Sequence, residues 1–137
     1  MAVIGDRIEQ RIHIDAPPEV VFAYLTEPDL HEAWMGKRAT LDPRPGGVYR
    51  CVMNDTVTVV GEYVTVDRPH AVTFTWGFEG NEAIPPGSST VRITLTADGT
   101  GTTVTLVHTG LPHPGLAPHD QGWSGYLLQL VTAAGSP

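Results

Sequence analysis

His108-Thr109-Gly110-Leu111-Pro112, followed closely by His119-Asp120-Gln121-Gly122-Trp123-Ser124-Gly125-Tyr126-Leu127-Leu128-Gln129-Leu130, reads as a last strand delivering the chain into a terminal amphipathic helix. Trp123, Tyr126, Leu127, Leu130 and Ala134 follow helical spacing, and a stripe of that kind has to lie on an apolar sheet face. Gly122 and Gly125 interrupt the pattern, since each costs about 1 kcal/mol relative to Ala inside a helix. Either they lie at a frayed start, or they let the backbone come close to something.

Working back toward the N-terminus, residues 7–14 place Ile8, Ile12 and Ile14 in strand parity, with Gln10 the exception. Pro17 and Glu19 suit the start of a helix that carries Val20, Val21, Tyr24 and Leu25. Thr26-Glu27-Pro28-Asp29 then has the spacing of a capping box, opening a second short helix with Leu30, Trp34 and Met35. Beyond Pro43–Gly47, β-rich segments near 48–53, 57–66, 71–78, 90–97 and 102–109 are separated by turn residues and by a Gly/Pro/Ser-rich loop at 79–89. Sequential strands with short turns, and helices held to the early part and the end, predict an α+β domain with an antiparallel meander.

Turn lengths predict which side chains face inward. A two-residue hairpin at Asn54-Asp55 and a four-residue connection at 67–70 set Arg50 opposite Val59, Val48 opposite Gly61, Gly61 opposite Trp76 and Tyr63 opposite Phe74. The core face then holds Val48, Arg50, Val52, Val59, Gly61, Tyr63, Val72, Phe74, Trp76 and Phe78, with Gly61 leaving room for the Trp76 indole. Val91, Ile93 and Leu95, then Val104, Leu106 and His108, extend that face, and Cys51 falls on the other one.

At 137 residues the chain is long enough for one domain with its own core. Fifteen acidic against eight basic side chains give a formal charge of −7, without the clustered Lys/Arg that nucleic acid or an acidic membrane surface would require. No apolar run approaches the roughly 18 to 20 residues of a membrane span. A single cysteine and an N-terminus without the order of a secretion signal predict a cytoplasmic protein.

Several stretches together resemble the START-like superfamily, also known as SRPBCC, and within it the branch related to the activator of the ninety-kilodalton heat-shock chaperone ATPase. They are residues 14–22, Trp34, residues 44–50, 61–67 and 72–76, and His108-Thr109-Gly110-Leu111 with Gly122-Trp123. The resemblance spans nearly the whole chain, residues 1–137 being expected to form a single domain of this kind. It implies a helix-grip fold, a curved antiparallel sheet around a long C-terminal helix with two short helices after the first strand and a pocket between sheet and helix. Relatives bind lipids, steroids, polyketides or other apolar molecules, and a minority catalyse cyclisation or dehydration. The chaperone activators carry a separate N-terminal chaperone-binding domain for which this chain has no room, so a co-chaperone role is not expected.

The expected site comprises Trp34, Arg50, Tyr63, Phe74, Trp76, His108, Trp123, Tyr126 and Leu127 around an internal apolar cavity for a lipid-like, aromatic or polyketide-like molecule. His108 and Arg50 would orient it, although a hydrogen-bonded core histidine is the more common outcome for such a position. The alternatives are a cyclase or dehydratase using His108 or Tyr63 as general acid or base, and a protein-interaction module of co-chaperone-like or regulatory kind. His108, His113, His119 and Asp120 match no zinc spacing, and Pro112, Pro114 and Pro118 suggest an ordinary loop. No metal, cofactor, nucleic acid or membrane insertion is expected, no hydrolase motif is present, and the chain is expected to be a monomer or homodimer.

Overall fold

Alternation of apolar and polar residues along residues 89–109 makes the most regular part of the structure. In the computed structural model, which describes residues 3–135, Ser89–Asp98 (β7) and Gly101–Thr109 (β8) form a long antiparallel hairpin. Val91, Ile93, Leu95, Val104, Leu106 and His108 all point inward, as their parity predicts. The remaining elements are Val3–Ile4 (β1), Arg7–Ile14 (β2), Pro18–Thr26 (α1), Pro28–His31 (α2), Arg38–Leu41 (β3), Val48–Val52 (β4), Thr58–Asp67 (β5), Ala71–Trp76 (β6) and His113–Gly135 (α3). The strands form one antiparallel sheet in the order β1-β2-β8-β7-β6-β5-β4-β3, with α3 against it. This is the α+β helix-grip architecture expected from the sequence, with β1 and β3 as additional edge strands.

Helix α3 presents Leu116, Trp123, Leu127, Leu130 and Ala134 to the core in a stripe of period near 3.6. It lies chiefly along β2, where Gln10 accounts for its polar place in an apolar row. Its amide donates to the Asp120 carbonyl at 2.8 Å and Oδ1 at 2.7 Å, and to Ser124 Oγ at 3.1 Å. The helix begins earlier than its composition suggests. Residues 113–118, expected as a loop, form its first turns, because a proline near a helix start forfeits little; Pro118 deprives only the Pro114 carbonyl of an intrahelical donor. Nor is Gly122 at a frayed end or a close approach, since a Cβ there would meet nothing within 4 Å.

Two local expectations are corrected. Thr26 is not a cap: it ends α1 and its hydroxyl donates back to the Phe22 carbonyl at 3.1 Å, while α2 has Glu27 at its N-cap without a side-chain bond. The turn between β4 and β5 is one residue longer than predicted, because Asn54 Oδ1 accepts from Thr56 N, Thr56 Oγ1 and Val57 N and so stabilises a three-residue loop. Met53 N–H then bonds Val57 O, and Arg50 pairs with Val60, not Val59. One residue of slip inverts a strand. Tyr49 and Cys51 are therefore fully buried, while Val48, Arg50 and Val52 face outward.

The β5–β6 register holds at Tyr63 opposite Phe74, and a bulge between Tyr63 and Thr65 bends the sheet there. Gly61 does not make room for an indole. A Cβ at that position would run into the Thr75 carbonyl, so glycine is required by close approach of backbone to backbone.

Candidate functional site

The expected site residues separate into three groups. The first is a closed aromatic stack under α1 and α2. The last-turn carbonyls of α1 need partners from outside the helix, and aromatic side chains supply them: Trp34 Nε1–H and His31 Nδ1–H both donate to Tyr24 O at 2.9 Å, and Tyr63 O–H donates to Leu25 O at 3.1 Å. With Nδ1 protonated, His31 Nε2 accepts the Tyr49 hydroxyl at 2.9 Å. Phe74 stacks on Tyr49 with ring centroids 4.1 Å apart. Trp34, Tyr63 and Phe74 thus hold helices to sheet and do not line the open pocket described below. Burial drives the His31 pKa down to about 4 and pushes the Tyr63 hydroxyl well above its ordinary range.

The second group surrounds His108, which is completely buried. Trp123 Nε1–H donates to its Nδ1 at 3.0 Å. Ser89 Oγ–H donates to the Trp76 carbonyl at 2.9 Å, so the same oxygen accepts Nε2–H of His108, also at 2.9 Å. The imidazole is neutral with both nitrogens engaged. Burial, reinforced by nearby His119, lowers its pKa to about 3. His119 repeats the pattern: Nδ1–H donates to Gly115 O at 2.9 Å and Nε2 accepts Trp76 Nε1–H at 3.3 Å. Two indoles therefore occupy the lone pairs of two histidines, and burial lowers the His119 pKa as well.

The third group opens to the outside. Between the first half of α3, the β4–β5 turn and the end of β6 lies a pocket of about 240 Å³ lined by Met53, Asn54, Val57, Trp76, Phe78, Pro118, His119, Gly122, Trp123 and Tyr126. It exists because α3 follows β2 and leaves the far side of the curved sheet uncovered. Three expected residues meet here: Trp76, Trp123 and Tyr126. Leu127 is core, and Arg50 lies on the outer face, its guanidinium donating to Glu79 at 3.2 Å. Sequence reading missed Met53, Asn54, Val57, Phe78, Pro118, His119 and Gly122 as lining residues. The Asn54-Asp55 turn signal marked the place but not the contact. Among the described residues no group of three or more His, Cys, Asp or Glu could hold a metal ion.

An open antiparallel sheet gripping a C-terminal helix defines a START-like domain. The sequence model of the Activator of Hsp90 ATPase homolog 1-like protein family matches residues 15–135, and the chain belongs to that family. The AHSA1-like protein of Rhizobium etli is 38% identical, with a TM-score of 0.74 over 94% of this chain and 82% of that one. CalU16 of Micromonospora echinospora is 25% identical, with a TM-score of 0.76 over 93% of this chain and 75% of that one. The Aha1 dimer of Colwellia psychrerythraea, 21% identical with a TM-score of 0.80 over 94% of this chain and 96% of that one, shares the fold. No curated protein matches the chain. Among the described residues no helix is long and apolar enough to cross a membrane.

Proposed function

We propose that this domain binds a small apolar, ring-bearing molecule in the pocket between α3 and the β4–β5 turn. The observation that carries the reading is the contrast between that pocket and everything beneath it. Met53, Val57, Phe78 and Tyr126 remain half-buried beside the indoles of Trp76 and Trp123, whereas every buried side-chain nitrogen and oxygen of the described residues has a hydrogen-bond partner. Apolar surface left reachable beside aromatic faces gains free energy when a ligand covers it, about 25 cal/mol per Å². At about 240 Å³ the space is smaller than the roughly 300 to 1,000 Å³ of drug-sized sites, which limits the ligand to one or two rings.

Binding without chemistry is the reading favoured by the state of the two groups that a cyclase or dehydratase would use, and by His119, which lines the pocket with both ring nitrogens engaged. His108 and Tyr63 have their polar atoms committed inside the fold, and neither lines the pocket. Native mass spectrometry of the freshly purified protein, compared with the denatured sample, tests the proposal. A non-covalent apolar mass that is lost on denaturation supports it. A clean spectrum, together with tryptophan fluorescence unmoved by a library of one- and two-ring compounds, would overturn it.

A further inference from the structure

We infer that Asn54 sets the ligand class of this pocket: an uncharged aromatic molecule carrying a hydrogen-bond-accepting oxygen, such as a ketone or ester carbonyl, at its outer end. The inference rests on the pocket reading above and follows from an inventory of the polar atoms that line it. The lining contains no Asp, Glu, Lys or Arg, so a charged ligand group would be desolvated without a counter-charge. Arg50, the expected carboxylate partner, is on the outer face with Glu79. The two indole N–H groups are spent on His108 and His119, whose remaining ring nitrogens are spent on Ser89 and Gly115.

Two polar side chains of the lining are left, the Asn54 amide and the Tyr126 hydroxyl. Asn54 Oδ1 already accepts three hydrogen bonds, from Thr56 N at 2.9 Å, Thr56 Oγ1 at 3.0 Å and Val57 N at 2.9 Å. Those bonds fix the orientation of the planar amide. Its NH2 has no acceptor among the described residues and can only donate. Asn54 is exposed at the rim of the pocket, and a donor fixed there by the turn selects an acceptor at the ligand's outer end and gains nothing from a hydrocarbon of the same shape.

The test compares 2-acetylnaphthalene with the near-isosteric 2-isopropylnaphthalene, and with 2-naphthoate, by tryptophan fluorescence titration. Asn54→Asp keeps an acceptor oxygen for the turn and replaces the donor NH2; Asn54→Ser keeps an acceptor for the turn on a side chain too short to carry its hydroxyl proton to the NH2 position. The ratio of acetyl to isopropyl affinity is expected to fall about five- to ten-fold in both variants, and to stay within about two-fold of wild type in Tyr126→Phe. 2-Naphthoate is expected to bind more weakly than either neutral probe. An unchanged ratio in the Asn54 variants, or a loss confined to Tyr126→Phe, would overturn the assignment while leaving the pocket reading intact. If none of the three probes moves the tryptophan signal of the wild-type protein, the pocket reading itself falls and takes this inference with it.

Discussion

The indole N–H of Trp123 points at Nδ1 of His108 across 3.0 Å, so the helix that closes the core also dictates which proton the histidine carries. His108 cannot gain a proton at Nδ1 without ejecting that donor. A residue whose type suggests acid–base chemistry is here a neutral strut between strand and helix.

Acid should therefore loosen the fold as the pH falls below about 6.5. His31 and His108 have ordinary values near 6.5 when unfolded and about 4 and 3 when folded. Their full contribution to stability is present above pH 6.5. Below it the unfolded chain takes up protons that the folded chain refuses, and stability declines until the folded imidazoles protonate. Each should cost about 2 kcal/mol by pH 5. Denaturant titrations at pH 7.5, 6 and 5 measure this, and constant stability across the series would show that both residues ionise inside the fold.

Removing the Trp123 donor leaves His108 Nδ1 buried and unpaired. Trp123→Phe should cost at least about 1 to 3 kcal/mol, more than its lost apolar area alone. Urea unfolding of the variant checks the value, and a loss below about 0.5 kcal/mol would mean that water replaces the indole.

Two glycines should respond in opposite directions. Gly61→Ala drives a methyl group into the Thr75 carbonyl and is expected to destabilise by about 1 to 3 kcal/mol. Gly122→Ala meets open space and should stabilise α3 by about 1 kcal/mol. Gly122→Leu should fold, yet lose binding because its side chain enters the pocket. Thermal melts of the three variants decide the first two points; retained ligand binding by Gly122→Leu would place the ligand elsewhere.

Cys51 should be inert in the folded protein. Its side chain is fully buried, its thiol points at Met35 O at 3.5 Å, and burial raises its pKa to about 11. Iodoacetamide at pH 8 should leave it unmodified until denaturant is added. Fast labelling of native protein would show that β4 opens readily.

Much of this architecture was legible because apolar period is a local property. The alternation of Val91, Ile93, Leu95, Val104, Leu106 and His108, and the stripe through Trp123, Leu127, Leu130 and Ala134, name their buried faces without reference to partners. Trp76, Trp123 and Tyr126 could be nominated for the pocket for the same reason. The position of Arg50 was not available in this way. It depends on whether the β4–β5 turn has two residues or three, and the energy that decides lies in the three bonds to Asn54 Oδ1.

The sequence by itself determined the fold class, the inward faces of β5 to β8 and the buried stripe of α3, since each follows from side-chain type at fixed spacing along one element. Tertiary structure alone decided which polar atoms remain free. Trp34, Tyr63 and His108 are spent on α1 carbonyls, an indole and a serine. Hydrogen bonds are directional and couple residues tens of positions apart, so their partners exist only once the sheet has curved around the helix.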